Sequence, residues 1–244
     1  MDRTQIRTLG PRTAAIWATL RDHLAGRDGL TVVDVGGGTG GFAVPLAETG
    51  HRVTVVDASP DALAALTRRA AESGVGDRIT ALQGDADRLA DLIPDASADL
   101  VLCHSVLEVV DDPGRAARAL AGVLRPDGAA SVVVANRAAA VISRAVNGHL
   151  AAAAEVVHDP DGRAGAGDKL RRRFTVADAT ALLAAAGLAV EKIHGVRVLA
   201  DLVPGAVADA DPAGLLALEL ALADEPPYRD LATQLHLFCR KASG

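Results

Sequence analysis

Aromatic side chains are nearly missing from this chain, which has one Trp, one Tyr and three Phe in 244 residues. Stacking platforms for nucleic-acid bases are therefore scarce. Cysteine is as thin: Cys103 and Cys239 both sit in apolar, strand-like runs. Two such thiols read as buried and reduced, and they support no disulfide framework. No group of His, Cys, Asp and Glu has metal-ligand spacing, so no metal is expected. No apolar run reaches membrane-spanning length, and the start, MDRTQIRTLG, lacks an apolar signal core. A soluble cytoplasmic protein without membrane contact is the expectation. Positive charge is not in excess either: the net charge is −6, which gives no general attraction to nucleic acid or anionic membrane. No internal repeat occurs.

Half of the residues are hydrophobic, enough to fill the core of one α/β domain. The stretch Thr31 to Gly50 organises the rest. Thr31-Val32-Val33-Asp34-Val35 reads as a buried strand, because β-branched residues fit a pleated surface. Gly36, Gly37, Gly38, Gly40 and Gly41 follow, and Phe42 to Ala47 starts a helix. Strand, glycine turn and helix form the first half of a nucleotide-binding βαβ unit. A second strand, Arg52 to Val56, closes in Asp57. An acid about 20 residues past the glycines can accept the ribose hydroxyls of an adenosine. The spacing Gly36-x-Gly38-x-x-Gly41 fits a dinucleotide enzyme equally well.

Three more strands carry polar residues to the same edge. Residues 78–82 lead to Gln83-Gly84-Asp85-Ala86-Asp87, where Asp85 or Asp87 could meet an adenine amino group or simply cap a helix. Residues 98–103 deliver His104-Ser105, and residues 130–135 end at Asn136-Arg137 after a sharp LRPDG turn. A sixth strand is expected over 188–198 and a last one over 234–240. Helices are expected over 12–25, 59–73, 114–124, 175–183 and 213–223, with Ser59 and Thr175 as N-caps and Asp178 completing a capping box. The whole chain, 1–244, reads as one domain. Residues 1–29 form an N-terminal helical segment and 30–136 a cofactor-binding core. Residues 137–187 are a helical and loop insertion, and 188–244 hold the C-terminal strands and helix. Within the insertion the glycine-rich loop 159–168 reads as flexible. Lys169, Arg171, Arg172 and Arg173 form the basic run, either a solvated face or a contact for an anionic substrate.

In this order the pieces resemble the class I S-adenosylmethionine-dependent methyltransferases. The residues that carry the resemblance are DVGGGTG, VTVVDAS, the GDA after strand three and the LRPDG before strand five. That turn is typical of the methyltransferases and argues against a dehydrogenase. The resemblance implies an α/β, Rossmann-like sheet of seven strands, mostly parallel with an antiparallel last strand, and helices on both faces. RTAAIWATL, CHSVLEVVDDP, NRAAAVISRAVNGHL, HGVRVLADLVPG and LLALELALADEPPYRDLATQLHLFCRK narrow it to the bacterial enzymes that esterify the carboxylate of 5-carboxymethoxyuridine, a tRNA wobble nucleoside. Val109 departs from the family, which has an aromatic there.

The resemblance implies S-adenosylmethionine as cofactor and S-adenosylhomocysteine as product. It implies a cofactor shell of Arg12, Asp34, Gly36, Gly37, Gly38, Asp57, Ala86, Asp87 and His104. Arg12 would pair with the methionine carboxylate, Gly36 and Gly37 would pass beside the amino acid part, and Asp57 would take the ribose. Ala86 and Asp87 would frame the adenine, with His104 near the methionyl end. The acceptor would be a tRNA anticodon loop or else a small molecule, and Arg137 and Arg144 would join the basic run on any phosphates. A carboxylate is already ionised at neutral pH and needs no general base, so no catalytic residue is singled out. A phenol, amine or carbon acceptor would call on His149, His158 or Glu108. Two other readings stand beside this one: a small-molecule O-, N- or C-methyltransferase, and a non-catalytic cofactor-binding protein.

Overall fold

The β-branched runs build one seven-stranded sheet, seen in a computed structural model that describes residues 10–242. Residues 1–9 of the expected N-terminal segment lie outside the described residues. The strands are β1 (Thr31–Val35), β2 (Arg52–Asp57), β3 (Ile79–Gln83), β4 (Ala98–His104), β5 (Leu124–Ala135), β6 (Leu188–Val196) and β7 (Gln234–Lys241). Their order is β3-β2-β1-β4-β5-β7-β6. β7 runs antiparallel to both of its neighbours, β5 and β6, so the other six strands point one way. The antiparallel last strand is as expected from the sequence.

Among the described residues ten α-helices surround the sheet: α1 (Ala14–Leu24), α2 (Ala43–Glu48), α3 (Pro60–Glu72), α4 (Pro113–Val123), α5 (Arg137–Val146), α6 (Leu150–His158), α7 (Val176–Ala185), α8 (Gly205–Ala210), α9 (Pro212–Leu222) and α10 (Tyr228–Leu231). One core joins α1, α2 and α3 to the sheet through Trp17, Leu20, Leu46 and Leu66. A second joins α4 and α7 through Leu120 and Leu183. Strands buried on both faces explain why they read as unbroken apolar runs. Ser59 caps α3 by accepting from the Ala62 N–H, and Thr175 and Asp178 form the expected capping box on α7. Both cysteines are buried and free.

The structure corrects several details. LRPDG is not a separate turn before the strand but a bulge inside β5. Ala98 pairs with Leu124 and Leu100 with Ala129, so six residues of β5 span what three of β4 cover. Asp127 takes a left-handed φ of 61°, and a Cβ on Gly128 would come within 2.9 Å of the Arg125 carbonyl. β6 stops at Val196 rather than 198. Arg197 turns left-handed (φ 59°), and the N–H groups of Val198, Leu199 and Ala200 go to the Glu219 carboxylate instead of a strand. Helix α8 was not legible in the sequence.

The 159–168 loop is tied down rather than free. The Arg137 guanidinium donates to the carbonyls of Val156, Val157, Asp159 and Pro160. The Asp168 carboxylate, 5% exposed, meets Arg173 and Arg144. The basic run is likewise engaged: Arg172 donates to the carbonyls of Leu107, Val110 and Asp111, and Arg171 pairs with Asp111. The reason is general, since guanidinium donors left near buried carbonyls find them.

Candidate active site

Parallel strands put their carboxyl ends at one edge, and open α/β sheets place ligands there. Here that edge holds the glycine turn after β1, Asp57 ending β2, Ser105 after β4, Asn136 after β5 and Arg197 after β6. Because β7 is reversed, it brings its start, Thr233 and Gln234, to the same edge.

A cleft of about 660 Å³ lies over the β1, β2 and β4 ends. Gly36, Asp57, Ala86 and Asp87 line it, with Asp85, Val106 and Arg171. Asp57 holds the glycine turn in place: one carboxylate oxygen accepts from the Gly38 N–H at 2.8 Å and the other from the Ser59 N–H at 2.9 Å. A carboxylate offers about four acceptor directions, so each oxygen keeps one for a hydroxyl. Asp87 Oδ1 is buried without a hydrogen-bond partner among the described residues. An orphaned acceptor in a cleft marks a place for a donor.

Gly37, Gly38 and Asp34 lie beneath the cleft wall. A Cβ on Gly37 would strike the Asp34 carboxylate at 2.5 Å, so the turn can cross that acid only as bare backbone. Burial, helped by the nearby charge of Asp57, pushes the Asp34 carboxyl up to about 7. Asp34 Oδ2 also lacks a partner among the described residues.

His104 does not line the cleft. Its ring meets Phe42 edge-on at 4.5 Å, Phe42 stacks on Trp17, and His104 Nε2 is 2.9 Å from the Ser131 hydroxyl. Ser131 is in turn 2.9 Å from His236, which stacks on His194. Burial lowers the His104 pKa to about 3 and that of His236 well below the usual value. The two rings therefore stay neutral. Arg12 is also away from the cleft: it is exposed and pairs with Asp201 at 3.3 Å.

A second pocket, about 500 Å³, meets the cleft at Ser105, which lines both. Ser105 has a left-handed φ of 60°, and its hydroxyl accepts from Gln234 at 2.8 Å. Strained non-glycine residues tend to mark working sites. Asn136 fixes another wall, donating to the Asp230 and Ala232 carbonyls and capping α5. Arg144, Arg173, Arg197, Asp201 and the buried Glu108 complete the polar lining. Burial pushes the Glu108 carboxyl up to about 7, and its Oε2 has no partner among the described residues. The sequence had offered Glu108 only as one of three bases and had not placed Arg197, Asp201 or Gln234 in any site. The rule that strand ends face the ligand could have found Arg197, which directly follows β6.

His149 and His158 are not among the residues lining either pocket. The described residues contain no group of three His, Cys, Asp or Glu that could hold a metal, and no helix long and apolar enough to cross a membrane.

Comparison with known proteins gives this geometry a setting. Residues 33–132 match a family model described as a methyltransferase domain. The chain is 30% identical over 239 residues to the tRNA 5-carboxymethoxyuridine methyltransferase of Escherichia coli K12, covering 94% of this chain and 88% of that protein. It is 34% identical over 139 residues to the ubiquinone biosynthesis O-methyltransferase of Methylocella silvestris, covering 54% and 51% of the two chains. Among solved structures, the fold resembles an S-adenosylmethionine dependent methyltransferase from Mesorhizobium loti, with a TM-score of 0.62, 24% identity and 93% of this chain covered against 97% of that one.

Proposed function

This chain belongs to the S-adenosylmethionine-dependent methyltransferases, and we propose that it esterifies the carboxylate of 5-carboxymethoxyuridine at the wobble position of tRNA. The observation that carries the reading is the meeting of the two cavities at Ser105. One is lined by the glycine turn, Asp57 and Asp87, and the other holds arginines and an acid whose carboxyl burial raises to about 7. The E. coli relative, similar over nearly the whole chain, supports the choice of acceptor.

Asp57 takes the ribose hydroxyls on its spare acceptor directions, and Ala86 and Asp87 frame the adenine. Gly36 and Gly37 let backbone approach the amino acid part, with Gly38 and Asp34 fixing the turn. Arg12 leaves Asp201 for the methionine carboxylate, which a guanidinium fork suits. His104 supports the strand end that becomes Ser105. The donor, when bound, supplies a methyl on a cationic sulfur and leaves as S-adenosylhomocysteine. A carboxylate acceptor is already a nucleophile, so the protein's part is to align it and exclude water, and alignment alone can account for much of the rate. Glu108 in its neutral form admits the anionic acceptor.

A small-molecule acceptor is the second reading. It is favoured by the net charge of −6 and by the internal engagement of Arg137, Arg144, Arg172 and Arg173, which reduces the cations free for phosphates. Incubation with methyl-labelled S-adenosylmethionine and either total tRNA or a metabolite extract decides. Label in the tRNA, released by mild alkali as an ester should be, supports the first reading. Label confined to the extract replaces it with the second.

A further inference from the structure

Glu219 on α9 is 3% exposed, and its carboxylate accepts three consecutive backbone N–H groups, from Val198 (2.9 Å), Leu199 (2.7 Å) and Ala200 (2.6 Å). Those bonds pin the turn after β6 and fix what it presents to the second pocket: Arg197, held left-handed, and Asp201 four residues on. Asp201 lies between two cations. One oxygen is 3.3 Å from Arg12 and the other 3.2 Å from an Nη of Arg197.

The three arginines of this pocket are not equivalent. Arg144 and Arg173 share the Asp168 carboxylate. Arg197 faces Asp201 through one Nη, while its Nε is buried with no partner among the described residues. A buried guanidinium N–H without an acceptor is costly, and a carboxylate placed against it forms a forked, charge-assisted pair. The Arg197 side chain keeps about 24% of its surface exposed where it lines the pocket, and the guanidinium face that Asp201 leaves open suits a planar carboxylate.

We infer that Arg197 receives the carboxylate of the methyl acceptor and that Asp201 is the internal carboxylate competing for the same guanidinium. The inference names the substrate's recognition group and rests on the proposed acceptor chemistry only for the identity of the molecule that carries it. Arg197 is here a specificity residue, and Asp201 sets how tightly an anion is held. The two effects have opposite signs. Removing Arg197 abolishes the preference for an anion, whereas removing the charge of Asp201 increases it. A purely structural ion pair would give a loss in both cases.

The test is calorimetry on the full chain saturated with S-adenosylhomocysteine, using phenoxyacetate and its neutral isostere phenoxyacetamide as probes. Wild type is expected to prefer the carboxylate by about tenfold or more. Arg197→Gln is expected to bind the two alike. Asp201→Asn is expected to hold phenoxyacetate about fivefold tighter and the amide unchanged, since a like charge has been removed. A wild type that binds neither probe, or both equally, overturns the inference. So does an Arg197→Gln variant that keeps the preference, or an Asp201→Asn variant with unchanged or weaker phenoxyacetate binding. Should Arg197→Gln fail to fold, Asp201→Asn decides alone. The tRNA reading fails separately: phenoxyacetate selected through Arg197, with no label entering tRNA, keeps the anion site and removes the nucleic acid.

Discussion

Asp57 performs two tasks with one carboxylate, fixing the glycine turn through Gly38 and Ser59 and facing the cleft. Asp57→Ala is expected to weaken S-adenosylhomocysteine binding by about 10- to 100-fold in calorimetry, the worth of a hydrogen bond to a charged group. A cooperative thermal transition should survive, and wild-type affinity would remove Asp57 from the site. Glu108 links the second pocket to pH. It is neutral below about 7 and charged above, so kcat/KM for an anionic acceptor should fall as pH rises through that value. Glu108→Gln should flatten the fall, whereas a kcat/KM that rises through the same pH would make Glu108 a base for a neutral acceptor. Asp57 was legible in the sequence because an acid closing a β-branched run announces its own position. Arg197 was not, because an arginine's availability depends on which carboxylates reach it, a tertiary fact. For the same reason the sequence overvalued Arg172 and Arg173, whose donors turn inward.

Among the elements, the insertion depends most on a single group. Asp168 collects Arg144, Arg173 and the N–H groups of Ala164 and Leu170, and the Arg173 hydrogen bond holds its carboxyl well below the usual range. Asp168→Asn leaves buried guanidinium charge uncompensated, and urea unfolding should show a loss of about 3–5 kcal/mol. The row of histidines across β4, β7 and β6 has its own pH signature. With the His104 pKa lowered to about 3, folding keeps this ring neutral while the unfolded chain protonates below about 6.5. Its contribution to stability is thus complete above that pH and is lost progressively as the solution is acidified. Between pH 7.5 and 5, His104→Gln should lose about 2 kcal/mol less than wild type in urea unfolding, the difference cancelling the opposite trend of Asp34 and Glu108. Most strands and caps were legible because local pattern determines them. The bulge in β5 and the early end of β6 were not, since each is set by a partner remote in sequence, Ala98 in one case and Glu219 in the other.

At the scale of the molecule, charge limits how RNA could be held. Among the described residues of the basic run, Lys169 and Arg171 remain exposed, Arg171 in a surface ion pair with Asp111, while Arg172 and Arg173 are engaged internally. About two phosphate contacts predict only about a tenfold loss of tRNA affinity between roughly 50 and 200 mM salt, readable by filter binding. A loss near a thousandfold would require further cations, and residues 1–9 contain two arginines. The family was legible from the cofactor half alone, but the acceptor pocket is assembled from pieces of β4, β5, the insertion and everything after β6. Position in the sheet adds one more consequence. β7, the last strand in chain order, is seated between β5 and β6. During synthesis the ribosome must pass Lys241 before that slot can be filled, and until then two raw strand margins stand open to neighbouring nascent chains. A stop codon placed just ahead of Gln234 should therefore yield inclusion bodies rather than a slightly shortened enzyme.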